Sequence, residues 1–240
     1  MKKGGLLGLT LFLVVALIVG LLALAFLGMA LLGIFTLGHG DWFKLSSCHC
    51  ECSPLLEAGE IKEVGVYNGS KVYISNVPGK LIVESGNSSI VISSNLPVNV
   101  SQLGDEVVIS CSECYKYKNG IVIVRGNLSE LEVGKVMGKV EVGTPLKVLK
   151  IGDVMGSVEV LSPVEVFESG DIMGKVRVKV LKLVKAEDVL GKLEILVPRN
   201  YSVDLKVDDV LGNVKNEAKG DKKVKVELED VMGRVEIVNG

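Results

Sequence analysis

The octapeptide Asp153-Val-Met-Gly-Ser-Val-Glu-Val160 sets the rhythm of the chain. It recurs as Asp171-Ile-Met-Gly-Lys-Val-Arg-Val178, Asp188-Val-Leu-Gly-Lys-Leu-Glu-Ile195, Asp209-Val-Leu-Gly-Asn-Val-Lys-Asn216 and Asp230-Val-Met-Gly-Arg-Val-Glu-Ile237. An earlier copy, Lys135-Val-Met-Gly-Lys-Val-Glu-Val142, carries Lys in place of Asp. The glycines Gly138, Gly156, Gly174, Gly191, Gly212 and Gly233 follow one another at steps of 17 to 21 residues. Between the copies run further alternating stretches, such as Leu146-Lys-Val-Leu-Lys-Ile151 and Val203-Asp-Leu-Lys-Val207. Alternation of apolar and polar residues, rich in valine, specifies strands. A unit this short cannot bury its own apolar face, so neighbouring units must cover it. The expected fold is all-β: a β-solenoid with rungs of 18–21 residues and two short strands per rung. The same beat continues upstream through Val72-Tyr-Ile74, Leu81-Ile-Val83, Ile90-Val-Ile92, Val107-Val-Ile109 and Ile121-Val-Ile-Val124. Nine or ten rungs at ~4.8 Å each give a stack roughly 45 Å long.

In such a stack each repeat position becomes a column. Val140, Val158 and Val176, with Val142, Val160 and Val178, are expected to face inward. Met137, Met155, Met173 and Met232, with Leu190 and Leu211, are expected to fill the turn end of that core. The glycines are expected to supply a positive φ at a corner. Lys139, Lys175, Lys192 and Arg234 stand beside Glu141, Glu159, Glu194 and Glu236, which predicts ion-pair ladders across the rungs. The aspartates Asp153, Asp171, Asp188, Asp209 and Asp230 form the one repeated column able to hold a ligand. One reading is a calcium ladder of oxygen ligands. The favoured reading is structural, each Asp closing an Asx-turn near its glycine.

The 240 residues are 48% hydrophobic, but those residues are unevenly spread. Leu6 to Leu37 contains no charge, and Lys2 and Lys3 are the only charges before Asp41. A run this long predicts a transmembrane helix, with the two lysines placing the N-terminus in the cytoplasm and the remainder of the chain outside the cell. The expected organisation is a cytoplasmic tip at 1–5, a transmembrane helix at 6–37, a cysteine-containing linker at 38–60 and a solenoid at 61–240. Within the solenoid, 61–130 reads as degenerate rungs and 131–240 as consensus rungs. Cleavage near Cys48 or Gly4 is a weaker alternative to an uncleaved single-pass membrane anchor. Beyond the first 40 residues the net charge is about −4, which excludes nucleic-acid binding through a basic stripe.

Five of the asparagines open Asn-x-Ser sequons: Asn68, Asn87, Asn99, Asn127 and Asn200. In an extracellular region these are glycosylation acceptors. A single glutamine, Gln102, beside abundant Lys, Glu and Val resembles the composition of thermophile proteins. The only histidines are His39 and His49, so the commonest general base is missing from everything downstream. The carboxylates fall in regular columns, and paired carboxylates in a groove, which a polysaccharide-acting solenoid enzyme needs, are not apparent.

Cys48-His49-Cys50-Glu51-Cys52 precedes the repeats, and Cys111-Ser-Glu-Cys114 interrupts them. Outside the cell the default is disulfide formation, and pairing of Cys111 and Cys114 with the triplet would staple the linker to the repeats. A zinc site of four thiolates is the alternative. The last copy, Asp230 to Ile237, keeps the full consensus and is followed by only three residues. An uncapped final rung predicts self-association through Asp230–Ile237.

The repeat, Asp-Val-x-Gly-x-Val-x-Val on a beat near 18–20 residues, resembles the putative adhesin family of domains of unknown function. The resemblance covers Leu131 to Ile237 well and Ile61 to Arg125 by rhythm. It implies an extracytoplasmic β-solenoid with a surface-interaction role and transfers no catalytic residue. The expected function is therefore a non-catalytic structural, adhesive or protein-interaction module at the cell surface. A metal- or redox-responsive envelope protein built on the five cysteines is the alternative.

Overall fold

The computed structural model describes residues 55–240. Among the described residues the only helical element is a 3-10 turn at Cys114–Lys116. The strands in chain order are β1 (Leu56–Glu57), β2 (Lys62–Asn68), β3 (Lys71–Val77), β4 (Lys80–Ser85), β5 (Ser89–Ser94), β6 (Asn99–Leu103) and β7 (Glu106–Ser110). They continue with β8 (Tyr117–Lys118), β9 (Ile121–Gly126), β10 (Glu130–Val136), β11 (Lys139–Val142), β12 (Leu146–Val154), β13 (Ser157–Val160) and β14 (Val164–Ser169). The last six are β15 (Lys175–Val189), β16 (Lys192–Val197), β17 (Tyr201–Val210), β18 (Asn213–Asn216), β19 (Lys222–Val231) and β20 (Arg234–Asn239). The protein is all-β.

Most strands pair in parallel with the strand one repeat away. One run of pairings joins β7, β3, β10, β12, β14, the second half of β15, β19 and β17. The other joins β9, β4, β11, β13, the first half of β15, β16, β20 and β18. Each run holds eight parallel strands; antiparallel β6 extends the first to nine, and antiparallel β5 and β2 extend the second to ten. Between the two runs lies one apolar core. Val140, Val158, Val176, Val142, Val160 and Val178 all face it, as their alternation predicts, and Phe167 is its largest fully buried side chain.

The layers do not follow chain order. Residues 71–85 lie between the layers of 106–126 and 130–142. Residues 222–239 lie between those of 183–197 and 201–216. Self-association through Asp230–Ile237 therefore needs correction. That copy is hydrogen-bonded on both sides, through β15 and β17 for β19 and through β16 and β18 for β20. The strands with one neighbour at this end are β17 and β18.

The opposite end is closed differently. There β6 returns antiparallel on β7, while β2 pairs antiparallel with β5 and β5 with β9. Gly104 turns the β6–β7 hairpin at φ 61°, where a side chain would be strained. No glycine of the repeated column has a positive φ, so the expected role of that column is corrected. A Cβ on Gly156 would collide with the carbonyl oxygen of Gly138, one on Gly174 with that of Gly156, and one on Gly191 with that of Gly174. The column is glycine because the backbones of successive layers touch there.

The placement of the chain in a membrane is also corrected. Among the described residues no helix is long and apolar enough to cross one. Residues 6–37, on which the expected single-pass anchor falls, lie outside the described residues, as do His39, His49, Cys48, Cys50 and Cys52.

Candidate functional site

Each repeat turns at Val-Met-Gly or its Ile and Leu variants, and the backbone there decides which side chain goes inside. The carbonyl of Val136 accepts the N–H groups of both Met155 and Gly156, at 2.9 and 3.1 Å. Val154 does the same for Met173 and Gly174, Ile172 for Leu190 and Gly191, and Val189 for Met232 and Gly233. Two consecutive N–H groups aimed along the stack interrupt the in-out alternation of the strand. The residue before the turn goes inward: Val136, Val154, Ile172, Val189 and Val231 are fully buried. The next residue goes outward.

The methionine column is therefore a ridge on the outside, correcting its expected place in the core. Met137, Met155, Met173, Leu190 and Met232 are 44–48% exposed, and Leu211 at the end of the line is 86% exposed. Contiguous exposed apolar side chains on a soluble surface commonly mark an interaction site. Thioether side chains adapt to irregular partners. At the far end, Val210, Leu211 and Met232 with Asp209 and Asp230 line an open depression of about 290 Å³.

The aspartate column runs beside the ridge. Strand register brings Lys135 beside Asp153 and Asp188, Asp230 and Asp209 into one line. Asp171 joins through the bridges at Ile172. The copy with Lys for Asp pairs with its neighbour, Lys135 Nζ lying 3.4 Å from Asp153. Among the described residues no three His, Cys, Asp or Glu side chains converge to hold a metal ion.

The charged columns interlock across the layers. Lys80 and Lys139 both meet Glu141, at 2.9 and 2.6 Å, and Arg177 reaches Glu194 at 3.1 Å. Lys192 and Arg234 meet Glu236 at 2.7 and 2.6 Å. The hydrogen bond from Lys139, then that from Lys80, holds the Glu141 carboxyl below its ordinary pKa, and the bond from Lys192 does the same for Glu236. A second ladder, missed in the sequence, alternates in sign across the other sheet face: Glu132, Lys150, Glu168, Lys185, Glu227 and Lys206. Its recognition required the layer order, because Glu227 lies between Lys185 and Lys206 only in space.

Cys111 and Cys114 are bonded to each other. Both the expected staple to the triplet and a four-thiolate zinc site needed these two thiols. Their disulfide closes the loop beside β7 at the capped end. All five sequon asparagines, Asn68, Asn87, Asn99, Asn127 and Asn200, are exposed.

No family model matches the chain, and no curated protein matches it. Solved structures resemble it. A putative adhesin from Bacteroides fragilis is 14% identical with a TM-score of 0.47, covering 76% of this chain and 100% of its own. A putative cell adhesion protein from Clostridium sporogenes is 17% identical with a TM-score of 0.37, covering 75% of this chain and 98% of its own. A putative lipid binding protein from Parabacteroides distasonis is 12% identical with a TM-score of 0.35, covering 76% and 99%.

Proposed function

We propose that the chain is a non-catalytic interaction module whose repeats form a β-solenoid and whose outer corner meets a macromolecular partner. The solenoid reading rests on parallel pairing at one-repeat spacing, continued through successive layers. The interaction reading rests on one observation, the apolar ridge of Met137, Met155, Met173, Leu190, Met232 and Leu211. Polar residues would be tolerated at the corners of Met137, Met155, Met173, Leu190 and Met232, since the inward place is already taken by Val or Ile. A charged neighbour stands beside each ridge residue in the aspartate column or its Lys135 variant. The ridge is thus an apolar line with a polar margin, the arrangement of an interface core and rim.

The test uses the full chain with a photoreactive side chain at Met155 or Met173, compared with the same group at Lys139 or Glu159. Discrete adducts from the ridge positions and none from the charged face are expected. Equal labelling from both faces, or none from the ridge, overturns the reading.

A further inference from the structure

In the end layer formed by β17 and β18, β17 is built like an interior strand and lacks the second neighbour an interior strand has. Val203, Leu205 and Val207 stand in register with Val224, Val226 and Leu228. The latter three are fully or almost fully buried, whereas the former are half-buried. Val210 is 49% exposed against 0% for its partner Val231. Among the described residues, β17 has one neighbour over ten residues, leaving a row of backbone donors and acceptors free along its other side.

We infer that this end pairs with the same end of a second copy, β17 lying antiparallel to β17 about a twofold axis at Leu205. The charges select both partner and register. Along β17 the outward residues are Ser202, Asp204, Lys206 and Asp208. When Leu205 faces Leu205, Asp204 faces Lys206 twice, Val203 faces Val207 twice, and Ser202 faces Asp208. Shifting by one side-chain repeat sets Asp204 against Asp208 and Lys206 against Lys206. Shifting the other way sets Asp204 against Asp204. Only the Leu205 register opposes unlike charges while keeping the apolar face continuous. The opposite end carries antiparallel strands and a hairpin, so the pairing closes at two copies. The chain enters the described fold beside that opposite end, where Leu56 and Glu57 pair with Tyr117 and Lys118. The end contact does not depend on the ridge being an interaction surface.

The experiment measures the mass of the full chain in mild detergent by sedimentation, for the native protein, Lys206→Asp, Asp204→Lys and an equimolar mixture of the two variants. The native protein is expected at two copies. Each variant alone turns two attractive pairs into two repulsive ones, and its association is expected to weaken by about tenfold or more. The mixture restores both pairs and is expected at two copies. Lys206→Asp also faces Glu227 within its own chain, and the mixture controls for this because it contains the same altered chains. A native protein of one copy overturns the inference. Variants that remain at two copies, or a mixture that stays at one, also overturn it. Labelling at Met155 and Met173 is read separately, so failure here leaves the ridge reading standing.

Discussion

The two ends of the fold solve the same problem in different ways. At one end β6 and β2 are antiparallel, and both carry features that discourage further pairing. Pro97 precedes β6, Gly104 turns it back after five residues, and β2 has a register shift between Glu63 and Gly65. At the other end β17 runs for ten residues with its core-facing valines half-buried and no proline within it. An edge that is defended and an edge that is left ready imply different uses. The first blocks further strand addition; the second leaves the backbone of β17 open to the pairing proposed above.

The largest expected effect comes from the glycine column that both ends share. A Cβ at Gly174 collides with backbone of the layer before it, in the middle of the stack, and splits the core. Gly174→Ala is expected to cost about 3 kcal/mol or more, or to prevent folding. A Cβ at Gly212 meets the Gly233 carbonyl oxygen in the same way, but no further layer of the described chain lies beyond it. Gly212→Ala is expected to loosen residues 201–216 alone, with the urea midpoint shifted by less than half as much. Equal losses for the two variants, in urea unfolding and amide exchange, would show that the open end is as cooperative as the middle.

The capped end has its own staple. The disulfide between Cys111 and Cys114 closes a loop so short that chain entropy assigns it about 2 kcal/mol. Cys111→Ser with Cys114→Ser is expected to lower stability by that amount. Amide exchange should speed up in β6 to β9 while β17 and β18 stay as they were. Exchange that rises equally at both ends would contradict a local role for the loop.

The repeat legibly specified strands, the inward valine columns and the lysine–glutamate ladder, because alternation and column identity survive any folding of the chain into layers. It did not specify which of two adjacent apolar residues goes inward at the corner. Val154 and Met155 are both apolar, and the choice is made by a backbone carbonyl accepting two successive N–H groups, which leaves no mark on side-chain composition. The glycine column is ambiguous for the same reason, since close backbone approach and positive φ demand the same residue. Gly79, with Pro78 in place of the methionine, and Gly120, preceded by Tyr117-Lys-Asn119, extend that column. Layer order was nearly readable. Steps of 21 residues in place of 17 or 18 occur where the chain passes its neighbour and returns. Asn216 stands where the equivalent inward positions hold Ile195 and Ile237, a polar residue at an end layer.

The smallest expected effect concerns acid, and it separates the ends by charge. Lys225 first, through its hydrogen bond, holds the Glu227 carboxyl below its ordinary pKa, and Lys206 of the end layer adds to this. Glu236 is lowered chiefly by Lys192, with Lys215 of the end layer contributing. A carboxyl with a lowered folded-state pKa contributes stability that is fully present above its unfolded value, near 4.3, and lost as pH falls through the folded value. Below about pH 4, protonation of these two glutamates removes attraction that Lys206 and Lys215 feel from the adjoining layer. Lys206 and Lys215 are exposed and the two glutamates half-buried, so added salt should reproduce part of the effect at neutral pH. Amide resonances of β17 and β18 are expected to shift and broaden first on acidification, ahead of β6 and β7, whose pairing is anchored by Val100 against Ile109. If the capped hairpin responds first, the ladder does not hold the open end, and burial of Val203, Leu205 and Val207 alone must keep the last layer in place.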